Sequence, residues 1–173
     1  MKKNVILSGI LAGVIVASVM LVSAAKCYSD DNYEGSMILG YGSMLLAFSL
    51  IFVCVKNYRD KHNQGFITFG KAFRIGLFIS LIASSFYVIA WLIDYYVFIP
   101  DFAEKFAQHN LRMAQTSGAS TAELAEKAKE MADFKDMYKN PLMVILFTYM
   151  EILPVGLVIS LLTALVLKRK STE

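Results

Sequence analysis

Four long apolar runs alternate with polar segments along this chain of 173 residues. The runs occupy residues 5–25, 37–55, 75–99 and 142–167. A helix needs roughly 20 such residues to cross a hydrocarbon core about 30 Å thick, and each run is close to or above that length. The pattern predicts an all-α integral membrane protein whose four spans form a four-helix bundle.

The polar segment at 100–140, between the third and fourth runs, carries two helical patterns separated by a break at Gly118. Ser120 and Glu123 have the spacing of a capping box, which marks the start of a helix. We therefore expect one membrane domain over residues 1–173, with an extracytoplasmic helical hairpin inserted at 100–140. The apolar stripe of this hairpin packs on itself, on the bilayer or on a partner. Its members are Phe102, Phe106, Met113, Leu124, Ala128, Met131 and Tyr138.

Composition and charge placement agree with this topology. Hydrophobic residues make up 57% of the chain and charged residues only 18%, against about 25% charged in a soluble domain. Because positive residues are retained on the cytoplasmic side, clusters beside the runs place both termini in the cytoplasm. The net charge of +3 then requires no nucleic-acid partner. The clusters hold ten of the 17 Lys and Arg: Lys2, Lys3, Lys56, Arg59, Lys61, Lys71, Arg74, Lys168, Arg169 and Lys170.

The ends of the first two spans carry two further predictions. The loop 26–36 is acidic and is expected outside, and the run before it exceeds the 7–15 residues usual for the core of a secretory signal, so we interpret it as a retained span. Cys27 then lies on the outer side and Cys54 near the inner end of the second span. They are too far apart for a disulfide, whose Cα atoms lie within about 7 Å. Cys27 stays free or links two chains.

Small residues recur at four-residue spacing in every span, which lets neighbouring helices approach closely. We predict that these residues pack the bundle; Gly9 and Gly13 could instead mark a homodimer contact. The packing residues are Gly9, Gly13 and Ala17 in the first span, Ser36, Gly40, Ser43 and Ala47 in the second, Gly76, Ser80 and Ser84 in the third, and Gly156, Ser160 and Ala164 in the fourth.

Glu151 lies inside the fourth run, at a depth of about 13 Å if the helix rises 1.5 Å per residue. Ionisable residues inside a membrane are functional candidates by default. Pro154 lacks an N–H, leaves the carbonyl of Met150 without its usual partner, and is expected to kink the helix. Glu151 and Thr148 are therefore proton or ligand candidates. The alternative is a protonated Glu151 that is hydrogen-bonded to a neighbouring helix.

Asp94 is the second intramembrane carboxylate, about 8 Å from the outer end of the third run. Its depth differs from that of Glu151 by about one helical turn, so antiparallel neighbours could bring the two together to share one proton. One feature opposes this pairing. Glu151 lies about 140° from the Gly156 ladder at 100° per residue, so either both faces are buried or the kink at Pro154 re-phases them.

Aromatic residues gather where the third span ends, and they suit the headgroup layer of a membrane. The same residues could form an aromatic ligand site. They are Tyr87, Trp91, Tyr95, Tyr96, Phe98 and Phe102. Residues 56–74, which mix basic and aromatic side chains, predict a short interfacial segment on anionic lipid.

No motif for catalysis stands out: the chain has no phosphate-binding glycine loop, HExxH sequence or nucleophile motif. His62 and His109 fall on opposite sides of the membrane, so we predict no metal site. Because no catalytic motif is present, we also predict no cofactor and no enzymatic activity. The leading hypothesis is a non-enzymatic membrane protein that oligomerises or scaffolds other membrane proteins. The alternative is a small proton-coupled transporter, or a transporter subunit, that uses Glu151 with Asp94.

Three sequence stretches resemble an uncharacterised bacterial family, one of the domains of unknown function. They are Gly-Phe-Ile-Thr-Phe-Gly-Lys-Ala-Phe at 65–73, the exit of the third span at 96–100, and the closing run 154–168. The resemblance covers nearly the whole chain. It implies four spans, a long external segment and a location in the inner membrane of a Gram-negative envelope, and it assigns no catalytic residue.

Overall fold

The computed structural model describes residues 2–29 and 37–169, and within these ranges the chain is helical and contains no β-strand. The acidic residues of the 26–36 loop, Ser36 and Lys170 lie outside the described residues. The predicted all-α class is confirmed. The six helices are α1 (Lys2–Ser29), α2 (Met37–His62), α3 (Phe69–Ile93), α4 (Phe102–Thr116), α5 (Thr121–Tyr138) and α6 (Pro141–Leu167).

Four helices in the described part of the chain are long and apolar enough to cross a membrane: Lys2–Ser29, Ile38–His62, Phe69–Phe98 and Pro141–Leu167. The third includes a π-helical turn, Asp94–Phe98, that extends α3. These four helices indicate a multi-pass membrane protein, and α1 is one of the helices of the bundle.

The structure divides residues 56–74, predicted as one short interfacial segment, between two helices and a connection; their position on anionic lipid stays a prediction. Most of them continue α2 to His62 or begin α3 at Phe69, so the connection itself is only 63–68. Thr68 caps α3 by accepting a hydrogen bond from the amide of Lys71 at 3.4 Å, and Gly65 turns the chain at a φ of 85°. Helices α2 and α3 therefore continue into the polar sequence beyond the apolar runs. They can do so because a helix satisfies its backbone hydrogen bonds internally, both in lipid and in water.

Helix α3 is the central element of the bundle, since it packs along both α1 and α6, while α2 packs against the other side of the same two helices. We call the end with the 63–68 connection the loop end. There the amide of Arg169, just after α6, donates to the carbonyl of Ile67 at 2.9 Å. This contact fixes the end of α6 to the connection between α2 and α3.

The ladder residues of α3 and α6 lie at the closest approach of these two antiparallel helices. A Cβ on Gly76 would lie 2.6 Å from Ser160 Oγ, and a Cβ on Gly156 would lie 2.6 Å from Ser80 Oγ. The two serine hydroxyls are 3.2 Å apart, and either can donate. Each hydroxyl also contacts the carbonyl four residues earlier in its own helix, so these buried polar groups are satisfied.

Gly9 and Gly13 lie at the contact between α1 and α3. A Cβ on Gly9 would come within 2.8 Å of Ile82, and one on Gly13 within 2.6 Å of Phe86. Gly40 of α2 differs, since nothing lies within 4 Å of a Cβ placed there. The small residues of α1, α3 and α6 are therefore occupied inside one chain, while Gly40 faces open space.

Helices α4 and α5 cover the opposite end of the bundle, which we call the capped end. They are joined by an ion pair between Lys135 and Glu104 and by the rings of Phe106 and Phe134, whose centroids are 5.2 Å apart. The predicted capping box is confirmed: the amide of Ser120 donates to Glu123 Oε2 at 2.7 Å, and the amide of Glu123 donates to Ser120 Oγ at 3.3 Å.

Candidate functional site

A cavity of about 680 Å³ lies between the four membrane helices at the capped end. Its walls come from the last half of α1, the first half of α2, α3 near Tyr87 and Trp91, and the first half of α6; α4 and α5 form its roof. Ligand cavities for small organic molecules span about 300–1,000 Å³. We call this space the bundle cavity, and its lining residues are Val16, Val19, Met20, Ser23, Ala24, Cys27, Gly40, Tyr41, Ser43, Met44, Tyr87, Trp91, Phe102, Phe106, Phe134, Tyr138, Phe147, Thr148 and Glu151.

The cavity forms because the helices pack closely only toward the loop end. In α2, the side chains of Ala47, Phe48 and Ile51 are fully buried, whereas Tyr41 is 51% exposed and Leu46 is 68% exposed. The first half of α2 therefore has few partners, and its Gly40 lines the cavity. The space is bounded toward the loop end by the close contact of α3 with α6.

Glu151 lies on the cavity wall, where its side chain is exposed to the open space. The hydroxyl of Tyr87, across on α3, donates to Glu151 Oε1 over a long distance of 3.4 Å. Thr148, one turn earlier on α6, also lines the cavity, and its hydroxyl donates to the carbonyl of Val144 at 2.7 Å. Thr148 can thus only accept a further hydrogen bond from a ligand.

Helix α6 presents two neighbouring faces to the bundle. Ile152 and Gly156 lie on the face that packs closely on other helices, while Phe147 and Glu151 lie on the face that lines the cavity. Both faces are therefore directed inward, and this explains how Glu151 can be far from the Gly156 ladder and still reach the bundle interior. Pro154 lies within α6, which continues on both sides of it; the predicted kink stays a prediction.

Glu151 is the one formally charged side chain among the described residues that line the cavity. The other polar groups are hydroxyls, one thiol and one indole N–H, from Ser23, Cys27, Tyr41, Ser43, Tyr87, Trp91, Tyr138 and Thr148. A charge in such surroundings is stabilised only by a partner of opposite sign or by taking up a proton. The described part of the lining thus has one acidic group and no base to neutralise it.

Tyr138, the last residue of α5, contributes a phenol to the roof. Burial, followed by the charge of Glu151, raises the pKa of Tyr138 to about 12. The phenol is therefore neutral at physiological pH and keeps a proton to donate. Its ring also packs against Phe134, with centroids 4.4 Å apart.

The aromatic group predicted from the sequence divides into three sets. Tyr87, Trp91 and Phe102 line the cavity, with Trp91 and Phe102 in an edge-to-face contact at 5.0 Å. Tyr95 is buried, whereas Tyr96 and Phe98 are 46% and 68% exposed, as residues at a membrane surface would be. The headgroup layer and the aromatic ligand site both stay predictions. Tyr138 also lines the cavity and was predicted to lie on the hairpin stripe, whereas Phe134, a further lining residue, was not singled out from the sequence. The four-residue spacing of these two rings matches that of Phe102 and Phe106.

Asp94 is apart from this site. It begins the π-helical turn, and its Oδ2 is buried with no hydrogen-bond partner among the described residues. It is not among the residues that line the bundle cavity, and no hydrogen bond joins it to Glu151 within the described ranges. The roof packs on α3 on both sides of this position, through Trp91 with Phe102 and Tyr95 with Tyr138. The structure brings together Glu151 and Thr148 but not Asp94.

A polar contact attaches the roof to α1. The hydroxyl of Tyr28 donates to Asp101 Oδ1 at 2.7 Å, and Lys105 Nζ lies 3.2 Å from Asp101 Oδ2 and 3.7 Å from the centroid of the Tyr28 ring. The Tyr28 hydroxyl and Lys105 hold the pKa of Asp101 below its usual range. We call these three residues the Tyr28 contact.

The remaining candidate groups do not converge. Cys27 lines the cavity and Cys54 is buried toward the loop end, and both are free thiols. Within residues 2–29 and 37–169, no three His, Cys, Asp or Glu side chains are grouped as metal ligands would be.

The fold and the site together define a class: a four-span helical membrane protein with a cavity between its spans and a helical roof over one end. The chain belongs to the family described as Protein of unknown function (DUF4199), whose sequence model matches residues 7–169. This confirms the resemblance to an uncharacterised family. No curated protein and no solved structure matches the chain.

Proposed function

We propose that this protein is a small carrier that binds a solute in the bundle cavity and exchanges it for a proton on Glu151. One observation carries the proposal: an intramembrane carboxyl lies on the wall of a cavity of about 680 Å³, between all four spans. A carboxyl that is only satisfied structurally would be enclosed by neighbouring helices, whereas this one meets open space.

The surroundings of Glu151 make exchange chemically reasonable. In an environment of low dielectric, an unpaired carboxylate is costly by several kcal/mol, so it carries a proton or pairs with a cation. Tyr87 contacts the carboxyl only at 3.4 Å, which leaves most of its hydrogen-bonding capacity for other partners. Occupation by proton and by solute would therefore exclude each other, and that exclusion is the basis of coupled transport.

A second candidate function is a scaffold that oligomerises or binds other membrane proteins. The small-residue ladders were one reason in the sequence to predict a scaffold. Gly9 and Gly13, however, contact Ile82 and Phe86 of the same chain, so this face of α1 is already packed against α3. What favours a scaffold is the polar helix pair itself, where Met113 is 43% exposed. A molar mass in detergent equal to one chain, together with no captured partner, would contradict the scaffold.

Charge asymmetry supports an orientation for the carrier. At the loop end, nine described Lys and Arg face one acid, Asp60, and the positive-inside rule places such an end in the cytoplasm. We propose that both termini are cytoplasmic, that the bundle cavity lies in the outer half of a bacterial inner membrane, and that α4 and α5 form an extracytoplasmic hairpin. A reporter fused after residue 169 that is active only outside the cell would contradict this. The nine are Lys2, Lys3, Lys56, Arg59, Lys61, Lys71, Arg74, Lys168 and Arg169.

The experiment is solute-driven proton movement in liposomes that contain the purified protein and an internal pH dye. A panel of cationic, neutral and anionic solutes is added outside, and the change in internal pH is followed. We expect at least one class of solute to move protons through the wild-type protein, and Glu151→Gln to abolish that movement.

Glu126→Gln is the matched control, because it makes the same chemical change at an exposed position of α5 that does not line the cavity. It should behave as the wild type. If no solute of the panel moves protons, or if Glu151→Gln moves them as fast as Glu126→Gln, the carrier proposal is wrong.

A further inference from the structure

We propose that the solute of the bundle cavity is an organic cation with a bulky aromatic or apolar body. This inference rests on the proposed function and adds the chemical class of the ligand. It is carried by the juxtaposition, among the described residues around a single cavity, of one carboxyl and a set of aromatic rings with no cationic side chain.

The charge of the ligand follows from the lining. Glu151 is acidic, and none of the described lining residues is Lys, Arg or His. The roof base Lys105 is already paired with Asp101 at 3.2 Å and lies over the ring of Tyr28. Among the described lining residues, an anion would meet a carboxylate and no compensating base, whereas a cation would supply a charged partner for Glu151.

The body of the ligand follows from the aromatic rings. Eight of the nineteen lining residues are aromatic: Tyr41, Tyr87, Trp91, Phe102, Phe106, Phe134, Tyr138 and Phe147. A cation over the face of such a ring gains about 0.5–2 kcal/mol, and the rings also offer a large apolar surface. A sugar or another heavily hydroxylated solute would leave most of its hydroxyls without partners here, which is costly.

The proton then competes with the cation for Glu151. The titratable groups that face the cavity from the other elements are Cys27 on α1, Tyr41 on α2, Tyr87 on α3 and Tyr138 on α5; the described lining residues of α4 are both Phe. None of these side chains is cationic when protonated, so Glu151 is the group whose protonation opposes binding of a cation. Cation affinity should weaken as the pH falls.

Tetraphenylphosphonium and tetraphenylborate provide the test, because they share a shape and differ in the sign of their charge. Binding to the full-length protein in lipid nanodiscs is measured by equilibrium dialysis, with empty nanodiscs subtracted. Trp91, the only tryptophan in the chain, lines the cavity and reports occupancy by its fluorescence. We expect the cation to bind more tightly than the anion and to change the fluorescence of Trp91.

The variants isolate the contribution of the carboxyl. Glu151→Gln should weaken the binding of tetraphenylphosphonium about tenfold to a hundredfold, the usual effect of losing a charged partner. The binding of tetraphenylborate should stay the same or become tighter. Glu126→Gln should change neither. If Glu151→Gln does not fold, Glu151→Asp takes its place. It retains the charge but moves it back by one methylene, and it should weaken the binding of the cation by a smaller factor.

The outcomes separate this inference from the carrier proposal. Equal or tighter binding of tetraphenylborate, no binding of either ion, or an unchanged cation affinity in Glu151→Gln would overturn the cationic class. If a neutral or anionic solute of the panel drives proton movement that depends on Glu151, the carrier stands and the class of its solute is wrong. If tetraphenylphosphonium binds through Glu151 but no solute moves protons, the cavity is a cation-binding site and the carrier is wrong.

Discussion

Replacing Gly76 with alanine tests the packing that bounds the bundle cavity toward the loop end. The added Cβ would lie 2.6 Å from Ser160 Oγ, 2.7 Å from Ser160 Cβ and 3.0 Å from Ile51 Cγ2. Carbon atoms prefer separations of about 3.5–4.0 Å, so α3 and α6 must move apart by about 1 Å. Overpacking of this kind costs about 1–3 kcal/mol.

Gly40→Ala is the matched comparison, because nothing lies within 4 Å of the Cβ it adds. Both variants gain the same helix propensity, up to about 1 kcal/mol, so the difference in unfolding free energy between them isolates the clash. That difference should be about 1–3 kcal/mol, with Gly76→Ala the less stable. Thermal unfolding in one detergent should show a lower midpoint for Gly76→Ala, by about 2–4 °C for each kcal/mol.

Adding Ser160→Gly to Gly76→Ala removes the two closest atoms. The double variant should therefore lose less unfolding free energy than the two single variants together. The difference, which is the coupling energy, should be about 0.5–3 kcal/mol. Equal midpoints for Gly76→Ala and Gly40→Ala, or strict additivity with Ser160→Gly, would refute the described contact between α3 and α6.

Three further predictions concern the roof. Ser120→Ala removes the oxygen that accepts from Glu123 and should destabilise the start of α5 by about 0.5–2 kcal/mol; hydrogen exchange at its first turn should accelerate, and unchanged exchange would contradict the capping box. Because Tyr28 lowers the pKa of Asp101, the attachment of α4 should hold above the unfolded carboxyl value of about 3.9 and weaken as the pH falls through the lower folded value. Exchange in α4 should show this loss, and Asp101→Asn should remove its pH dependence. Burial raises the pKa of Tyr138 to about 12. The stability that its neutral phenol contributes to the fold is therefore present below the unfolded pKa of about 10 and is lost as the pH rises through the folded pKa. Tyr138→Phe should raise the pH at which alkaline unfolding begins.

The spans and the cap of α5 could be predicted because both are local. A run of apolar residues is enough to predict a span, and Ser120 and Glu123 satisfy each other's amides within one turn. The residue types of the ladders indicate close approach, but not their partners. That Gly9 meets Ile82 and Gly76 meets Ser160 depends on how the helices are arranged around α3, which no single helix encodes.

The cavity could be predicted only in part. Glu151 was recognisable because a carboxyl in hydrocarbon is rare, but a cavity is a lack of packing among several helices and leaves no local signal. Asp94 was a candidate for the same reason, and its similar depth suggested that it assists Glu151. The structure separates the two because α4 and α5 fold over this end and pack on Trp91 and Tyr95, and a sequence pattern does not reveal where such a roof rests.

Proton release on cation binding tests the central claim, that Glu151 holds either a proton or a cation, most directly. Tetraphenylphosphonium is added to the protein in weakly buffered nanodiscs at a series of pH values from acidic to mildly alkaline, and the released protons are counted against the cation bound. The wild-type and Glu126→Gln proteins should release up to one proton per cation over part of this range, and Glu151→Gln should release none. Cation binding without proton release at every pH, or the same release from Glu151→Gln, would contradict the account.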